Sequence, residues 1–227
     1  MKVVCYFINY NDSFYIPFLH KHYSKFCDRI IMYDNHSTDT SVELATKLGI
    51  EVRTFGVPGQ LNDQHYLDVK NHCWKEQRGK CDYVIVVDAD EFVMPDDLRG
   101  TLPRVTGYDM ISDELPKEDI TEIKTGEFSD NYSKQAIFNP NFIDEINFVH
   151  GCHKNWRTGH ITQDGTCRLL HFRCIGGFDR LFERHLMYQK RMSPFNLQHN
   201  MGHHYLQERH TKQVEWDLKM RSKRALW

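Results

Sequence analysis

Two acidic motifs in this 227-residue sequence have the residue types and spacing that suit metal and nucleotide chemistry. Asp88-Ala89-Asp90-Glu91 follows the apolar run Tyr83–Val87, and a second motif spans Asp34–Asp39. Alternate residues of an extended segment point to one side, so Asp88 and Asp90 can converge on one cation. Carboxylate oxygens suit Mg²⁺ or Mn²⁺, and crowded acids beside a buried strand are costly without a positive partner. We therefore expect a metal site here, rather than a solvated polar turn.

Alternating strands and helices in the first hundred residues would position both motifs. Runs rich in β-forming residues cover residues 3–8, 29–33, 50–55 and 82–87. Helical periodicity follows Asp12, Ser37 and Asn62. This order is typical of a Rossmann-like α/β fold with a mixed, mostly parallel central sheet flanked by helices. Ligands of such sheets bind beyond the carboxyl ends of the strands, where both motifs fall.

The pattern is less regular after Pro95, but it still predicts secondary structure. Further strands are expected at residues 108–112, 135–138, 146–149 and 169–172. Two more helices are expected at about residues 178–192 and 204–222. Because we find no repeat, low-complexity tract or linker, we expect a single domain over residues 1–227. Within it, we distinguish residues 1–100, which hold both acidic motifs, from residues 101–227.

Charge is distributed unevenly, although the net charge is only −2. Residues 1–150 carry a net charge of −10 and residues 151–227 a net charge of +8. This asymmetry suits a site where cations meet anionic phosphates, and equally suits two parts that attract each other. The apolar runs are too short for a transmembrane segment and no signal-peptide pattern is present, so we expect a soluble, cytoplasmic protein. The seven scattered cysteines indicate reduced thiols.

Taken together, the motifs resemble those of GT-A-fold glycosyltransferases, especially family-2-like enzymes with a D-x-D-E-F segment. The resemblance is carried over residues 1–95 by Asn11-Asp12, Asp34–Asp39 and Val86–Phe92. Later segments that look like the same group are His150–His153, Leu170–Phe172 and Arg184–Ser193. The resemblance implies transfer of a sugar from a nucleotide-sugar donor of UDP type to a glycan or glycoprotein acceptor, with inversion. It also implies Mn²⁺ or Mg²⁺ as the cofactor, with residues 1–100 as the nucleotide-binding part of the domain and residues 101–227 as its acceptor-binding part.

The resemblance assigns roles to the acidic residues. Asp34 would accept hydrogen bonds from the base or ribose of the donor, and Asp88 would face the ribose or metal-bound water. Asp88 and Asp90 would hold the metal, and Asp90 and Glu91 would be catalytic. An inverting enzyme also needs a carboxylate base. The sequence offers Glu91, Asp144 and Glu145 for this role and does not rank them.

Basic and amide side chains supply further candidates. Lys70 and Asn71 would contact the nucleotide-sugar, or would form an exposed helix face. His171 is a candidate third metal ligand, or a buried histidine bonded to a carbonyl group. The remaining candidates are His153 for acceptor hydroxyl groups, and Arg184 and Arg191 for phosphates. These two arginines lie seven residues apart and so share a helix face, but surface arginines would have the same pattern.

Two other classes of function also fit parts of the sequence. A sugar-phosphate nucleotidyltransferase combines an α/β sheet with carboxylate-bound Mg²⁺, but it needs a basic, Gly-rich loop after the first strand. Residues 9–13 contain neither glycine nor a basic residue, and no G-x-x-x-x-G-K-[ST] motif is present. A non-enzymatic module would bind anionic ligands through the basic C-terminal stretch. Because Glu208, Glu215 and Asp217 interrupt that stretch, we expect no nucleic-acid partner.

Overall fold

The structure, a computed structural model, describes all 227 residues and contains two five-stranded sheets. The strands of the first sheet are β1 (Val3–Asn9), β2 (Arg29–Asp34), β3 (Glu51–Thr54), β4 (Tyr83–Asp88) and β8 (Ile137–Phe138). They lie in the order β3-β2-β1-β4-β8. The first four are parallel and β8 is antiparallel to β4. The predicted strands of the N-terminal part are therefore confirmed.

The second sheet is built from the later part of the chain and contains mostly antiparallel pairs. Its strands are β5 (Glu91–Leu98), β6 (Arg104–Ser112), β7 (Thr125–Phe128), β11 (Gly165–Ile175) and β12 (Arg224–Ala225). They lie in the order β12-β7-β6-β11-β5, and only β6 and β11 are parallel. The sequence predicted the C-terminal part of β6 and the central part of β11, but not β5, β7 or β12. In β5, Pro95 and two aspartates obscure the apolar pattern.

One predicted strand is wrong. Residues 146–149 lie in a hairpin-shaped loop that contains only an isolated bridge between Phe148 and Asn155. The strand of this region is β9 (Ile143–Glu145), which pairs with β10 (Thr158–Gly159). Apolar residues at 146 and 148 are buried against the first sheet, and this tertiary contact accounts for the misleading pattern.

Helices flank the sheets. They are α1 (Ile16–Tyr23), α2 (Ser41–Lys47), α3 (Asp63–His72), α4 (Gly177–Arg191), α5 (Pro194–Gln198) and α6 (Arg209–Ser222). The Asn62 side chain caps α3 by accepting from the Gln64 N–H, and α4 and α6 confirm the two predicted late helices. The short helix α5 was not predicted. None of the helices has the length and apolar composition that crossing a membrane requires.

The first sheet is covered on both faces, as its apolar strands predict. All seven residues of β1 are buried, and its alternate side chains belong to two different clusters. Cys5 and Phe7 pack with Leu19 of α1, whereas Val4 and Tyr6 pack with Trp74 on the other face. Burial on both sides explains why β1 and β4 show continuous apolar runs rather than alternation.

The segment Asp88–Glu91 joins the two sheets. Strand β4 of the first sheet ends at Asp88, and β5 of the second sheet begins at Glu91. The Ala89 N–H donates to the Ile8 carbonyl group at 3.0 Å, and the Phe172 N–H donates to the Asp90 carbonyl group at 2.8 Å. Backbone bonds to strands of both sheets therefore fix this acidic turn at their junction.

Candidate active site

A cavity of about 660 Å³ lies at the carboxyl ends of β1 and β4 and extends to the C-terminal helices. Side chains from both parts of the chain line it, among them Tyr10 and Tyr66 from residues 1–100 and Arg173 and Lys219 from residues 101–227. The predicted site residues that it brings together are Lys70, Asp88, Asp90, Glu91, His153 and His171. Those that do not line it are Asp34, Asn71, Arg184 and Arg191.

Asp90 lies between two cationic neighbours. Its Oδ2 atom is 3.1 Å from the Arg184 guanidinium and 3.6 Å from Nε2 of His171. Burial acts to raise the pKa of this carboxyl group, but His171 and Arg184 hold the pKa well below its usual range. Asp90 is therefore ionised at neutral pH, with one oxygen directed toward the imidazole ring.

His171 is fixed on two sides. Its Nδ1 atom is 2.7 Å from Oδ1 of Asp109, and its ring stacks on Tyr132 with 3.8 Å between the centroids. Burial acts to lower the pKa of His171, but Asp90 and Asp109 raise it to about 9. Since Nδ1 bonds Asp109, the Nε2 atom that faces Asp90 carries the lone pair in the neutral ring.

Lys219 extends this arrangement to α6. Its Nζ atom donates to Oδ2 of Asp109 and, at 3.0 Å, to Oε1 of Glu127. Burial acts to raise the pKa of Asp109, but bonds to His171 and Lys219 lower it to about 2. The last helix therefore contributes a charge to the residues that orient His171. Sequence reasoning missed Asp109, although a charged residue within an otherwise apolar strand is a signal that could have identified it.

Asp88 is paired with lysines. Its Oδ2 atom is 2.8 Å from Nζ of Lys70 and 3.9 Å from Nζ of Lys134, and 36% of the side chain is exposed. Burial acts to raise the pKa of Asp88, but Lys70 and Lys134 lower it. Lys70 thus lies in the cavity with a carboxylate as its partner, and its contact with the nucleotide stays a prediction.

Glu91 is buried and both of its oxygens are bonded. Oε1 is 2.5 Å from Nζ of Lys134, and Oε2 accepts the Asp88 N–H at 3.0 Å. This geometry favours a structural role, in which Glu91 closes the acidic turn. Its catalytic role stays a prediction. The other candidate bases do not line the cavity: Asp144 is exposed and Glu145 is 2.6 Å from Lys75.

Two of the predicted nucleotide contacts bond to the protein itself. Asp34 accepts from the Asn9 amide at 3.0 Å and from the Ser37 hydroxyl and N–H at 2.6 and 2.8 Å. Asn71 bonds the N–H and the carbonyl group of Phe148 at 2.7 and 3.2 Å. Each side chain thus fixes a turn beside the cavity, and a contact with the nucleotide stays a prediction.

The two predicted arginines are also buried and bonded within the protein. Arg184 lies 3.0 Å from Asp12 and 3.1 Å from Asp90, and burial raises the pKa of Asp12 to about 6 despite this arginine. Arg191 lies over the ring of Tyr10 and donates to the Asn35 side chain. Both arginines therefore support the wall of the cavity from behind, and phosphate binding by them stays a prediction.

The predicted ligands Asp88, Asp90 and His171 do not form a ready-made metal site. No three His, Cys, Asp or Glu side chains of the protein are close enough together to hold one ion, and Asp88 is bonded to Lys70 instead. Asp90 and His171 do offer a carboxylate oxygen and an imidazole nitrogen facing each other. This pair fits Mn²⁺ or Mg²⁺ if phosphate oxygens and water complete the coordination.

A family comparison identifies the chain. The profile described as glycosyl transferase family 2 matches residues 19–173, which is more than half of the sequence. The chain belongs to this family. The matched segment includes Asp34, Asp88, Asp90 and His171. Family membership and the sheets flanked by helices confirm the resemblance and the predicted GT-A-like α/β fold.

Solved structures provide further similarities. One is glucosyl-3-phosphoglycerate synthase from Mycobacterium tuberculosis, determined with Mn²⁺, UDP and glucosyl-3-phosphoglycerate. It is 17% identical, with a TM-score of 0.30, and the match covers 40% of this chain and 34% of the synthase. Another, described as a mycobacterial protein, is 15% identical, with a TM-score of 0.31, over 48% of this chain and 41% of that one. The match thus spans less than half the length of either. A sequence comparison with curated proteins finds no significant match.

Proposed function

We propose that this protein transfers a sugar from a nucleotide-sugar donor, of UDP type, to a hydroxyl group of a glycan or glycoprotein. Mn²⁺ or Mg²⁺ would be bound by Asp90 and His171. The observation that carries the proposal is the cavity of about 660 Å³ with Asp88, Asp90 and His171 in its lining. Its volume is typical of small-molecule sites, and the carboxyl ends of parallel strands are where nucleotides bind in α/β sheets.

The lining offers partners for each part of such a donor. The rings of Tyr10 and Tyr66 suit the nucleoside, and both tyrosines lie close to the buried Arg191 and Asn35. Arg173 lines the cavity without an ion pair and suits an anionic diphosphate, whereas Lys70 is paired with Asp88. A divalent cation at Asp90 and His171 would supply positive charge where negative charge develops on the leaving diphosphate.

The bond changes define what else the site needs. The bond between the anomeric carbon and the diphosphate oxygen breaks, and a bond from that carbon to the acceptor oxygen forms. The acceptor proton passes to a base, and the nucleoside diphosphate leaves with the electron pair. Of the three candidate bases, we keep Glu91 because it alone lines the cavity, although its bonds to Lys134 and Asp88 argue for a test of this role.

A donor screen tests the proposal. Purified protein is incubated with UDP-, GDP- and TDP-sugars, with Mn²⁺ or Mg²⁺ or with EDTA, and the released nucleoside diphosphate is measured by chromatography. We expect release from at least one donor that stops in EDTA. Asp90→Asn removes a carboxylate that would bind the metal ion, and it should lower the release of nucleoside diphosphate by about 10²–10³-fold.

The matched control is Asp113→Asn, the same chemical change at an exposed aspartate outside the cavity. It should leave donor turnover and metal dependence unchanged. Absence of metal-dependent binding or release with every donor would overturn the proposal, as would normal turnover in Asp90→Asn.

A further inference from the structure

A second cavity, of about 510 Å³, opens beside the proposed active site and is lined by basic side chains. We call it the basic groove, and define it by Arg104, Lys134, His153, Lys154, Trp156 and Arg157. No Asp or Glu side chain is part of its lining. It shares Lys134 and His153 with the first cavity, so the two cavities adjoin each other.

Three of the cations in the groove have no carboxylate partner. Lys134 is neutralised by Glu91, but Arg104, Lys154 and Arg157 form no ion pair, and Arg157 donates only to the Asn155 side chain. In the first cavity, Lys70, Lys212 and Lys219 are paired with acids, and only Arg173 forms no ion pair. The positive charge of the groove is therefore available to an anionic ligand.

The wall that carries these side chains is held in place. Residues 147–156 form a hairpin-shaped loop. In it, the Val149 N–H donates to the Lys154 carbonyl group and the Trp156 N–H to the Asn147 carbonyl group, both at 3.1 Å. The two bonds from Asn71 to Phe148 fasten this loop to α3. Because the backbone positions of Lys154 and Trp156 are fixed before any ligand arrives, binding costs less ordering entropy.

Aromatic side chains lead from the proposed metal site to the groove. Tyr132 stacks on His171 and contacts the ring of His153 edge-on, with 5.5 Å between the centroids. His153 is a member of both cavities. Trp156 follows in the groove with 73% of its area exposed, a flat apolar surface of the kind that sugar rings pack against. An acceptor whose hydroxyl group reaches the first cavity would extend along this path.

We propose that the basic groove binds an acceptor saccharide that carries an anionic group, either a carboxylate or a phosphate. This inference rests on the proposed function and specifies its acceptor. Arg104, Arg157 and Lys154 bind the anion, with the guanidinium groups matching carboxylate and phosphate oxygens in pairs. Trp156 packs on a sugar ring, and His153 lies where the chain enters the first cavity.

Calorimetry with defined probes tests this assignment. The probes are a glucuronate-containing tetrasaccharide, a phosphorylated monosaccharide and a neutral tetrasaccharide. We expect the anionic probes to bind more tightly than the neutral one, with an affinity that falls as salt is raised. The tighter of the two anionic probes identifies the anion. The double variant Arg104→Gln/Lys154→Gln removes two exposed charges and should weaken the anionic probe about tenfold.

The matched control is Lys47→Gln/Arg221→Gln, which changes the net charge equally at exposed positions outside both cavities. It should bind all probes as the unmodified protein does. Equal affinity for charged and neutral probes, or an equal loss in the control, would overturn the inference.

Donor release without acceptor separates this inference from the proposed function. Arg104→Gln/Lys154→Gln should release nucleoside diphosphate normally, whereas Asp90→Asn should lose release and still bind the anionic probe. If no donor is turned over but the groove still selects the anionic probe, only the proposed function fails.

Discussion

The buried pair of Lys134 and Glu91 allows a quantitative test of what Glu91 does. The two side chains are 3% and 2% exposed, and their charged atoms are 2.5 Å apart. Lys134→Met would leave the Glu91 carboxylate buried beside the ionised Asp88, with only the Asp88 N–H as a partner. Breaking a buried ion pair in this way costs about 3–5 kcal/mol of the free energy of unfolding.

The double variant Glu91→Gln/Lys134→Met replaces the pair with neutral groups of similar size. Because a neutral pair leaves no uncompensated charge, we expect it to recover about 2 kcal/mol or more of the loss in Lys134→Met. Urea unfolding followed by circular dichroism and tryptophan fluorescence measures both variants, with the m-values compared. A loss below about 1 kcal/mol in Lys134→Met, or no recovery in the double variant, would refute the reasoning.

The same double variant separates a structural from a catalytic Glu91. Loss of a general base lowers turnover by about 10²–10⁴-fold even in a folded protein. If Glu91 only closes the acidic turn, donor turnover in the folded double variant should stay within about tenfold of the unmodified protein. A larger loss of donor turnover with intact metal binding would support the predicted catalytic role of Glu91.

Three further predictions concern residues around the site. Asp109→Asn removes a carboxylate that stabilises the protonated ring of His171, so Mn²⁺ binding should release fewer protons than in the unmodified protein. Calorimetry in buffers of different ionisation enthalpy measures this release, with Asp113→Asn at an exposed position outside the cavity as the control; unchanged proton release contradicts the prediction. In metal-free protein, protonated His171 stabilises the folded state fully below about pH 6.5, and this stabilisation is lost as the pH rises through about 9. The urea unfolding midpoint should therefore fall between these pH values, and it should fall less in a His171→Asn variant. Asn71→Ala removes two bonds to Phe148 and should cost about 1–3 kcal/mol in urea unfolding while weakening probe binding in the groove; an unchanged unfolding midpoint would contradict it.

The N-terminal half of the fold was predictable because its signals are local. Apolar runs such as Tyr83–Val87 and the cap at Asn62 specify strands and helices within a few residues, and the acidic motifs follow directly from strand ends. The second sheet was harder, since β5 contains Pro95 and gains its stability by pairing with β11, which lies far along the chain. The strand propensity of a segment is a local property, so it cannot predict pairing with a strand that lies far along the chain.

The partners of the site residues were unpredictable for the same reason. Lys134 meets Glu91 across 43 residues of sequence, and Asp109 meets His171 across 62. No periodicity links these positions, because tertiary packing alone brings the strands and loops that carry them together. Sequence reasoning therefore identified residues that line the cavity, but it also included Asn71, whose amide fixes the backbone of Phe148.

These partners change the argument for a metal. The crowding of Asp88, Asp90 and Glu91 pointed to a cation, and the structure supplies protein cations for all three acids, with Lys70 at Asp88, Lys134 at Glu91, and Arg184 at Asp90. Acid crowding alone therefore does not require a metal ion. The proposed metal site depends instead on the Nε2 atom of His171, which Asp109 and Tyr132 hold toward Asp90. Since a protonated imidazole cannot ligate, metal binding there must release the proton that Asp90 and Asp109 stabilise.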